Sequence, residues 1–446
     1  MKLAIVVQRY GADISGGAEL HARYIAEHLS RQADVRVLTT CARDYVTWRN
    51  ELPPGPDTVN GVPLERFPVV RERDPHEFGA RSARVFRSRH SIADELRWVE
   101  SGGPFSPALL RGLRRARREL DYILFFSARY YQSIQGARIA ADRAVLVPTS
   151  ERDPALGLSI LGALFRGVRG IMYNSLEERA LIQGVASNAE VPGVVVGVGS
   201  EVPPRADPAR FRRKYGIASP FVIYVGRIDE NKGCRELFDY FTRYAERSGQ
   251  SLLLVLVGTP VLEIPPHPRI RHLGYVSDED KFDAVAAAVA LVMPSHYESL
   301  SMVVLEAWAL GRPVLANARC DVLLGQCLRS NGGLYYEDSI EFSAALDRLL
   351  HDRPLAAALG AGGRAYYERH YAWPVVERKY MDMFARLDAE NAGGAPRRMT
   401  PLPGWWARQR ANLPPAADVV QAVPAGPVPA GCPNAGRGAR RREDLP

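Results

Sequence analysis

The sequence lacks any hydrophobic run long enough to cross a membrane, and it contains little cysteine. No apolar stretch approaches the roughly 18–20 residues of a membrane-spanning helix, and the first residues, MKLAIVVQRY, are too short a run for a secretory signal. The five cysteines, at positions 41, 234, 320, 327 and 432, form no CxxC pair and leave one unpaired. These absences argue against a membrane-spanning protein and against a disulfide-stabilised secreted domain. They predict a cytoplasmic protein in a reducing environment.

The sequence also lacks the common signatures of metal sites and of nucleotide hydrolases. It has no His, Cys and Asp cluster with metal-ligand spacing, no Walker phosphate loop and no Gly-x-Ser-x-Gly elbow. Asp278 and Asp280 form an Asp-x-Asp pattern of the kind that binds metal elsewhere. Ser277 precedes them, however, and this order predicts the N-cap of a helix. We therefore expect no bound metal and no other cofactor.

The chain does have the length and composition of a two-domain globular protein. Its 446 residues exceed one ordinary core and predict two domains of roughly 200 residues each. Apolar residues make up 46% and charged residues 24%, which is typical of globular proteins. The net charge of +8, mostly from arginine, favours polyanionic partners: nucleotides, nucleic acid or the acidic face of a membrane.

Strand-like and helix-like segments alternate along the first 390 residues. Amphipathic stretches such as residues 18–30 and 131–140 predict helices. Strands that alternate with helices form parallel sheets, so the predicted fold class is α/β with two doubly wound, Rossmann-like domains. Short apolar runs predict strands at residues 3–8, 34–39, 122–126, 144–147, 170–173 and 193–196, and again at 221–225, 252–257, 270–273, 290–293, 314–316 and 333–336.

Glycine and proline place the hinge between the domains at residues 197–208. The expected domains are residues 1–200 and residues 201–372, followed by a helix over 373–390 that we expect to return to the N-terminal domain. Residues 391–446 contain ten prolines and many alanines and arginines. Such a composition cannot bury enough surface to fold alone, so we expect a disordered C-terminal tail.

Paired glycines stand where the first strand gives way to the first helix. Gly16 and Gly17 occur in QRYGADISGGAELH. Backbone N–H groups beside glycine can approach a ligand closely, and a helix N-terminus favours negative charge. The pattern is not Gly-x-Gly-x-x-Gly, so it indicates either an anion-binding loop or an ordinary flexible connection.

Two cations follow the first strand of the second domain. Arg227 and Lys232 stand five residues apart in YVGRIDENKG. An arginine fork and a lysine point charge on one loop suit a diphosphate. The alternative is a pair of solvated loop cations.

Two glutamates bracket the turn that follows a later strand, in MPSHYESLSMVVLEA. Glu298 precedes a predicted helix, and Glu306 lies inside it. We expect Ser301 to cap this helix, with the N–H groups of Leu300, Ser301 and Met302 directed outward to take a phosphate. Ionised carboxylates only accept hydrogen bonds, so both glutamates suit sugar hydroxyls. The alternative is a pair of ordinary surface glutamates.

Together these motifs resemble those of the family 4 glycosyltransferases. The glutamate pair spaced E-x7-E after MPS, the segment YVGRIDENKG, the GG-containing first loop and LGYVSDED occur in the family's order. The resemblance covers about residues 1–390 and is densest in the second domain. It implies a retaining enzyme of the B-type glycosyltransferase fold, in which two Rossmann-like domains face each other across a cleft.

The resemblance implies a role for each residue of the second domain. Glu298 matches the residue that hydrogen-bonds hydroxyls of the donor sugar, and Glu306 matches the residue that holds the nucleotide ribose. Arg227 and Lys232 match the cations on the donor diphosphate. Val276 matches a loop whose backbone meets the nucleobase.

The first domain is matched less securely. Gly16 and Gly17 match the loop that closes over the donor phosphates from the other domain. The family often has a histidine or an acid near the reacting carbon, and the candidates here are His21, Glu151 and Asp153, each either acceptor-facing or structural.

The turn after the first glutamate departs from the family. It is glycine-rich in many members and reads Ser299-Leu300-Ser301 here, which can alter donor preference. His296, two residues before Glu298, is expected only to line the pocket.

An arginine stripe marks the first domain. The segment RGLRRARREL places Arg111, Arg114, Arg115 and Arg118 on one helical face. This face is either simply solvated or in contact with an anionic membrane or a lipid-phosphate acceptor.

These observations predict a retaining, metal-independent glycosyltransferase. It would use a UDP- or GDP-sugar and a glycan or lipid-linked acceptor, in cell-surface polysaccharide or lipopolysaccharide synthesis, in the cytoplasm or at the inner face of its membrane. Two alternatives stay open: a nucleotide-sugar epimerase or phosphorylase on the same fold, and a non-catalytic basic protein that binds a polyanion or a membrane. The stripe has no aromatic residues between its cations, so we do not expect nucleic acid as a partner.

Overall fold

The computed structural model describes residues 1–14, 16–391 and 397–429, which form two α/β domains. Each domain is built on one sheet, and each sheet has a buried apolar cluster on both of its faces. Strands buried on both faces read as continuous apolar runs, as β5 (Tyr122–Phe126) does with five buried residues. The predicted pair of doubly wound, Rossmann-like domains is confirmed.

The N-terminal domain has an eight-stranded sheet in the order β3-β4-β2-β1-β5-β6-β7-β8. All its pairs are parallel except the β3–β4 hairpin, which the apolar runs did not predict. The strands are β1 (Lys2–Val6), β2 (Asp34–Thr40), β3 (Gly55–Val59), β4 (Val62–Phe67), β5 (Tyr122–Phe126), β6 (Ala144–Val147), β7 (Gly170–Tyr173) and β8 (Gly193–Val195). The helices are α1 (Gly17–Leu29), α2 (Pro75–Arg87), α3 (Ile92–Gly102), α4 (Pro107–Ala116), α5 (Tyr131–Ile139), α6 (Ser159–Gly167) and α7 (Leu176–Ala186).

The second domain has a six-stranded parallel sheet in the order β11-β10-β9-β12-β13-β14. Its strands are β9 (Phe221–Val225), β10 (Leu253–Val257), β11 (Ile270–His272), β12 (Leu291–Met293), β13 (Val314–Asn317) and β14 (Gly333–Tyr336). Its helices are α8 (Pro208–Tyr215), α9 (Cys234–Ser248), α10 (Asp278–Ala287), α11 (Met302–Ala309), α12 (Asp321–Ser330), α13 (Ser339–His351) and α14 (Arg353–His370).

Strand order reverses between β1 and β5 in the first sheet and between β9 and β12 in the second. Ligands of open α/β sheets bind beyond the carboxyl ends of the strands at such switch points. The segments with unusual polar residues in the sequence follow β1, β9 and β12, so the topology brings them to the switch points.

The long helix α15 (Trp373–Asn391) packs on the N-terminal domain. Its residues Val376, Tyr380 and Phe384 are fully buried in the cluster that also contains β1 residues such as Ile5. The chain therefore crosses back after the second domain.

The expected disorder of the C-terminal tail does not hold for residues 397–429. This segment contains α16 (Trp405–Arg408) and α17 (Ala416–Gln421). Ala416 and Val420 are buried in the core of the N-terminal domain, and the backbone of Leu413 pairs with that of His90. The composition correctly shows that the segment cannot make its own core, but it instead covers apolar surface of an existing domain. Residues 392–396 and 430–446 lie outside the described residues.

Among the helices of the described ranges, none is long and apolar enough to span a bilayer.

If α17 is part of the N-terminal core, a buried polar group there must destabilise the domain. We expect Val420→Asn to cost about 1–3 kcal/mol, because its amide would be buried without partners. Thermal unfolding of the N-terminal domain should therefore begin at a lower temperature. Gln421→Asn, at the neighbouring exposed position, is the control and should leave the transition unchanged. Equal melting of both variants would contradict the packed arrangement.

Candidate functional site

A cleft of about 370 Å³ lies between the two domains at the switch points of both sheets. Loops after β1, β5 and β6 form one side, and the loop after β9 contributes from the other. The polar lining residues include Gln8, Arg9, Glu19, Tyr45, Ser127, Arg129, Tyr130, Glu151, Asp153, Arg227 and Lys232, with Gly16 and Gly17 at the entrance to α1.

The loop after β9 is held by a buried carboxylate. Asp229 accepts hydrogen bonds from the Arg227 guanidinium and from the backbone N–H of Lys232, the latter at 2.8 Å. Gly233 ends the loop with φ +70°, and a Cβ there would lie 2.2 Å from the carbonyl oxygen of Pro294. The loops after β9 and β12 are thus in direct contact, because residue 233 has no side chain. Arg227 and Lys232 both face the cleft.

Lys232 forms an ion pair with Glu298 across these two loops. Lys232 Nζ lies 2.7 Å from Glu298 Oε1, with the side chains 31% and 11% exposed. Burial acts to lower the pKa of Lys232, but the carboxylates of Glu298, Glu151 and Asp229 together raise it. The cation predicted for a diphosphate and the carboxylate predicted for sugar hydroxyls therefore lie side by side.

The turn before α11 has an unusual backbone. Ser301 adopts φ +71°, in the left-handed region where glycine is favoured, and α11 begins at Met302. The predicted capping role of Ser301 is wrong: its side chain makes no cap bond, and its buried Oγ has no hydrogen-bond partner among the described residues. Leu300 is buried and Met302 is half-buried. The first N–H groups of α11 have no partners within the helix, as at any helix N-terminus.

Glu306 is buried inside α11 and pairs with Lys281 of α10. Lys281 Nζ lies 3.1 Å from Glu306 Oε1 and 3.3 Å from Asp278 Oδ1. Burial raises the pKa of Glu306, and Lys281 opposes the rise. Tyr24 of α1 lies close enough to be affected by these charges. Burial raises the pKa of Tyr24 to about 12, Lys281 acts to lower it, and Glu306 acts to raise it. The first domain thus comes close to this end of the site.

Val276 lies half-buried in the loop before α10, packed against the core of the second domain. The cap predicted after it is confirmed. Ser277 accepts from the N–H of Asp280 at 3.1 Å, and Asp280 pairs with Lys214 at 2.6 Å. Within the described ranges, no three His, Cys, Asp or Glu residues are grouped to hold a metal.

Glu151 is one of the carboxylates that the N-terminal domain presents to the cleft. Burial raises its pKa to about 7; Lys232 acts to lower it, and Glu298 acts to raise it. Its loop is held by Glu178, which accepts from the backbone N–H groups of Ser150 and Asn174. A carboxyl group with a pKa near neutrality is suited to proton transfer.

The other two candidates of this domain lie in different surroundings. Asp153 lines the cleft, but it also caps the short helix after it through the N–H of Ala155 and pairs with Arg129 at 3.0 Å. His21 does not line the cleft; it is buried edge-on to Phe126, and burial lowers its pKa to about 3. The acceptor-facing alternative for His21 is therefore wrong, because its position on α1 points to the sheet.

Several residues that line the cleft were not predicted from the sequence. Arg9 pairs with Glu19 at 2.8 Å beside Gly16, where a Cβ would lie 2.2 Å from Glu19 Oε2. Arg129 and Tyr130 follow β5 at the switch point. Position after a switch-point strand was the signal that would have found them.

A second chamber of about 170 Å³ adjoins the cleft and will be called the Glu298 chamber. Glu151 lines both spaces. His296, predicted to line the pocket, does so; its pKa is lowered by burial and by nearby Arg319. Further lining residues include Arg152, Glu177, Tyr297, Asp321 and Ala425.

The sequence and the fold are similar to those of known proteins. Residues 208–366 match the model of the family described as Glycosyl transferases group 1. A D-inositol 3-phosphate glycosyltransferase of Acidothermus cellulolyticus is 26% identical, over 87% of this chain and 90% of that protein.

Solved structures share the fold at low sequence identity. Sucrose-phosphate synthase from Thermosynechococcus elongatus aligns with a TM-score of 0.64 at 17% identity, over 87% of this chain and 99% of that one. An Anabaena protein solved in complex with UDP and glucose aligns with a TM-score of 0.63 at 16% identity, over 86% of this chain and 100% of that one.

The electrostatics of Glu151 can be tested by changing its two neighbours. We expect Lys232→Met to raise the pKa of Glu151 above about 7, because a nearby cation is lost. Glu298→Gln should lower the same pKa, because a nearby anion is lost. Carboxyl-carbon NMR titration of glutamate-labelled protein would measure both shifts, with Glu151→Gln to assign the signal. Shifts of the same sign would contradict the arrangement.

Proposed function

We propose a specific reaction for this chain, whose residues 208–366 match the model of the group 1 glycosyltransferases and whose two domains have the B-type glycosyltransferase fold. The protein transfers a sugar from a UDP- or GDP-sugar to a glycan or lipid-linked acceptor, with retention of configuration and without a metal ion. The observation that carries the proposal is the Lys232–Glu298 pair at 2.7 Å: Lys232 lines the cleft, Glu298 lines the adjoining chamber, and Glu151 lines both.

In this proposal the second domain binds the donor along its length. Arg227 and Lys232 bind the diphosphate together with the first N–H groups of α11. Glu298 accepts from hydroxyls of the sugar, and Glu306 accepts from the ribose. Gly16 and Gly17 cover the phosphates from the first domain, where a small residue lets the backbone approach.

The bond to the leaving group breaks at the anomeric carbon. The acceptor oxygen attacks that carbon from the face that the diphosphate leaves, and its proton passes to an oxygen of the departing phosphate. Arg227 and Lys232 stabilise the charge that develops there, which replaces the need for a metal. Glu151 accepts a hydrogen bond from the acceptor hydroxyl and orients it.

A separate arginine surface, here defined as Arg111, Arg114, Arg115 and Arg118, lies outside the cleft, on the segment that precedes β5. All four are exposed, and none forms an ion pair with a carboxylate in the described part of the chain. Two of them, with Arg117 and Arg138, line an open depression of about 600 Å³. We propose that this surface contacts an anionic membrane at its cytoplasmic face, where cell-surface polysaccharide or lipopolysaccharide precursors would be glycosylated.

A donor screen tests the proposed reaction. The protein is incubated with UDP- and GDP-sugars in EDTA, and release of the nucleotide diphosphate is followed with and without glycan and lipid-linked acceptors. We expect acceptor-dependent release from one donor, and an α-linked product from an α-linked donor. Interconversion of the sugar without release would indicate an epimerase instead, and a requirement for added manganese would refute metal independence.

Two variants separate the ends of the donor site. Lys232→Ala should lower kcat by roughly 10²–10³ because it removes charge stabilisation as the bond breaks. Glu298→Ala should weaken discrimination among donor sugars and leave binding of free UDP or GDP nearly unchanged. Calorimetric titration measures that binding, with Arg227→Ala as the variant expected to lose it.

Arg235→Ala is the matched control for these variants. Arg235 lies just beyond Lys232 but is 67% exposed and paired with Glu230 outside the cleft. It should behave as the unchanged protein. If Glu298→Ala loses nucleotide binding as severely as Arg227→Ala, the assignment of Glu298 to the sugar is wrong.

Membrane contact is tested by changing the whole arginine surface. Each arginine near an anionic surface contributes on the order of 1 kcal/mol. Replacing all four by glutamine should abolish co-sedimentation with phosphatidylglycerol vesicles at low salt and leave donor hydrolysis intact. The control replaces exposed Arg235, Arg243, Arg348 and Arg364 of the second domain, for the same change in charge. Equal sedimentation of both variants would rule out a specific surface.

A further inference from the structure

The C-terminal segment crosses from one domain to the other beside the candidate site. We propose that residues 424–428, here named the strap, hold the two domains together and form one wall of the Glu298 chamber. The shielding of a reacting donor rests on the function proposed above. The contact between the two domains does not depend on that function.

The strap leaves from an anchored part of the chain. Ala416 and Val420 of α17 are buried in the N-terminal core. Val423 packs on α7, where a Cβ on Gly184 would lie 2.6 Å from Val423 Cγ1. The chain is therefore fixed to the N-terminal domain up to the point where the strap begins.

Arg152 binds the start of the strap and the second domain at once. Its guanidinium donates to the carbonyl oxygens of Val423 at 3.1 Å and Pro424 at 2.9 Å. It also pairs with Asp321 of α12 at 3.2 Å. Arg152 directly follows Glu151, so the same contacts restrain the loop that presents Glu151 to the cleft.

The far end of the strap is bound by residues of both domains. Arg329 of α12 donates to the carbonyl oxygen of Val428 at 3.0 Å, and Glu177 of α7 accepts from the N–H of Val428 at 3.1 Å. Arg329 and Glu177 also pair with each other at 2.9 Å and are nearly buried. Gly325 makes room for this pair, because a Cβ there would lie 2.0 Å from Glu177 Oε1.

The middle of the strap borders the candidate site. Ala425 lines the Glu298 chamber together with Glu151, Tyr297 and Glu298. At this end of the cleft the domains cannot separate without breaking the contacts of Val428. Separation would also break two ion pairs between the domains, Arg152 with Asp321 and Glu177 with Arg329. The strap therefore both limits opening and stands between solvent and the space beside Glu298.

A strap of this kind has a chemical consequence for the proposed transfer. Water competes with the acceptor for the anomeric carbon, and closure of a site excludes it. Without the strap, water replaces the acceptor more often. The C–O bond to phosphate still breaks, but the anomeric carbon takes a hydroxyl from water and the remaining proton of that water passes to the departing phosphate. The free sugar is then released instead of being transferred.

Two truncations isolate the strap. One chain ends at Val423, which keeps the anchored helix and removes the strap; the control ends at residue 430 and keeps it. We expect small-angle scattering to show a larger radius of gyration for the shorter chain. Amide exchange in α7 and α12 should also be at least tenfold faster. Identical scattering and exchange would overturn the contact between domains.

A point variant guards against misfolding of the truncated chain. Gly325→Ala adds one methyl group against Glu177, on a helix where alanine is otherwise favoured. It should loosen the same end of the cleft and speed amide exchange in α7 and α12; unchanged exchange would also overturn the proposal.

Activity tests the wall separately. With the donor found by the screen, hydrolysis relative to transfer should rise severalfold in the chain that ends at Val423. If scattering shows that the domains have opened but the ratio of hydrolysis to transfer is unchanged, the shielding role is overturned. If neither chain releases nucleotide from any donor, the proposed function is wrong. The scattering comparison still tests whether the strap holds the two domains together.

Discussion

The ion pair between Lys232 and Glu298 is the interaction on which the organisation of the cleft depends. Its partners come from loops 66 residues apart, and they meet because β9 and β12 are neighbours at the switch point of the second sheet. Both side chains are largely shielded from water, so removing either one leaves a poorly solvated charge. A negatively charged ligand that contacts Lys232 would compete with Glu298 for this cation.

Each domain uses a buried carboxylate to hold a loop that carries a candidate site residue. Asp229 binds the backbone of Lys232 in the second domain. Glu178 binds the N–H of Ser150, next to Glu151, in the first. Loops held by charged acceptors lose little further entropy when a ligand binds, which is the general advantage of a preorganised site. In both domains the loop that faces the cleft is therefore restrained by a hydrogen bond to a buried carboxylate.

Much of this arrangement was predictable from sequence because parallel strands buried on both faces are continuous apolar runs. All twelve predicted strands occur; five have the predicted bounds, and the ends of the others are displaced by one or two residues. The β3–β4 hairpin was missed because β3 is largely exposed and contains Pro56 and Asp57, although Asn60-Gly61 is a typical hairpin turn. A hydrophobic pattern in the sequence reveals strands that are buried, and an exposed edge strand such as β3 has few buried residues.

The misplaced residues share a different cause. His21 and Ser301 were judged by their chemistry, but the direction of a side chain depends on tertiary packing that local sequence does not specify. Glu151 was recognised as a candidate, whereas its raised pKa arises chiefly from burial, with a contribution from Glu298 of the other domain. The C-terminal segment was judged as if it had to fold alone, and its partner surface on α7 and the N-terminal core is distant in sequence.

Gly233 shows how backbone geometry alone can constrain such a site. Its left-handed φ and its contact with the carbonyl of Pro294 leave no room for a side chain. Any substitution would push apart the two loops that carry the central ion pair, although residue 233 has no side chain to offer a ligand. A mutational scan scored by activity would rank it among the catalytic positions. Whether a residue of this cleft tolerates substitution therefore depends on contact between the loops as much as on a chemical role of the side chain.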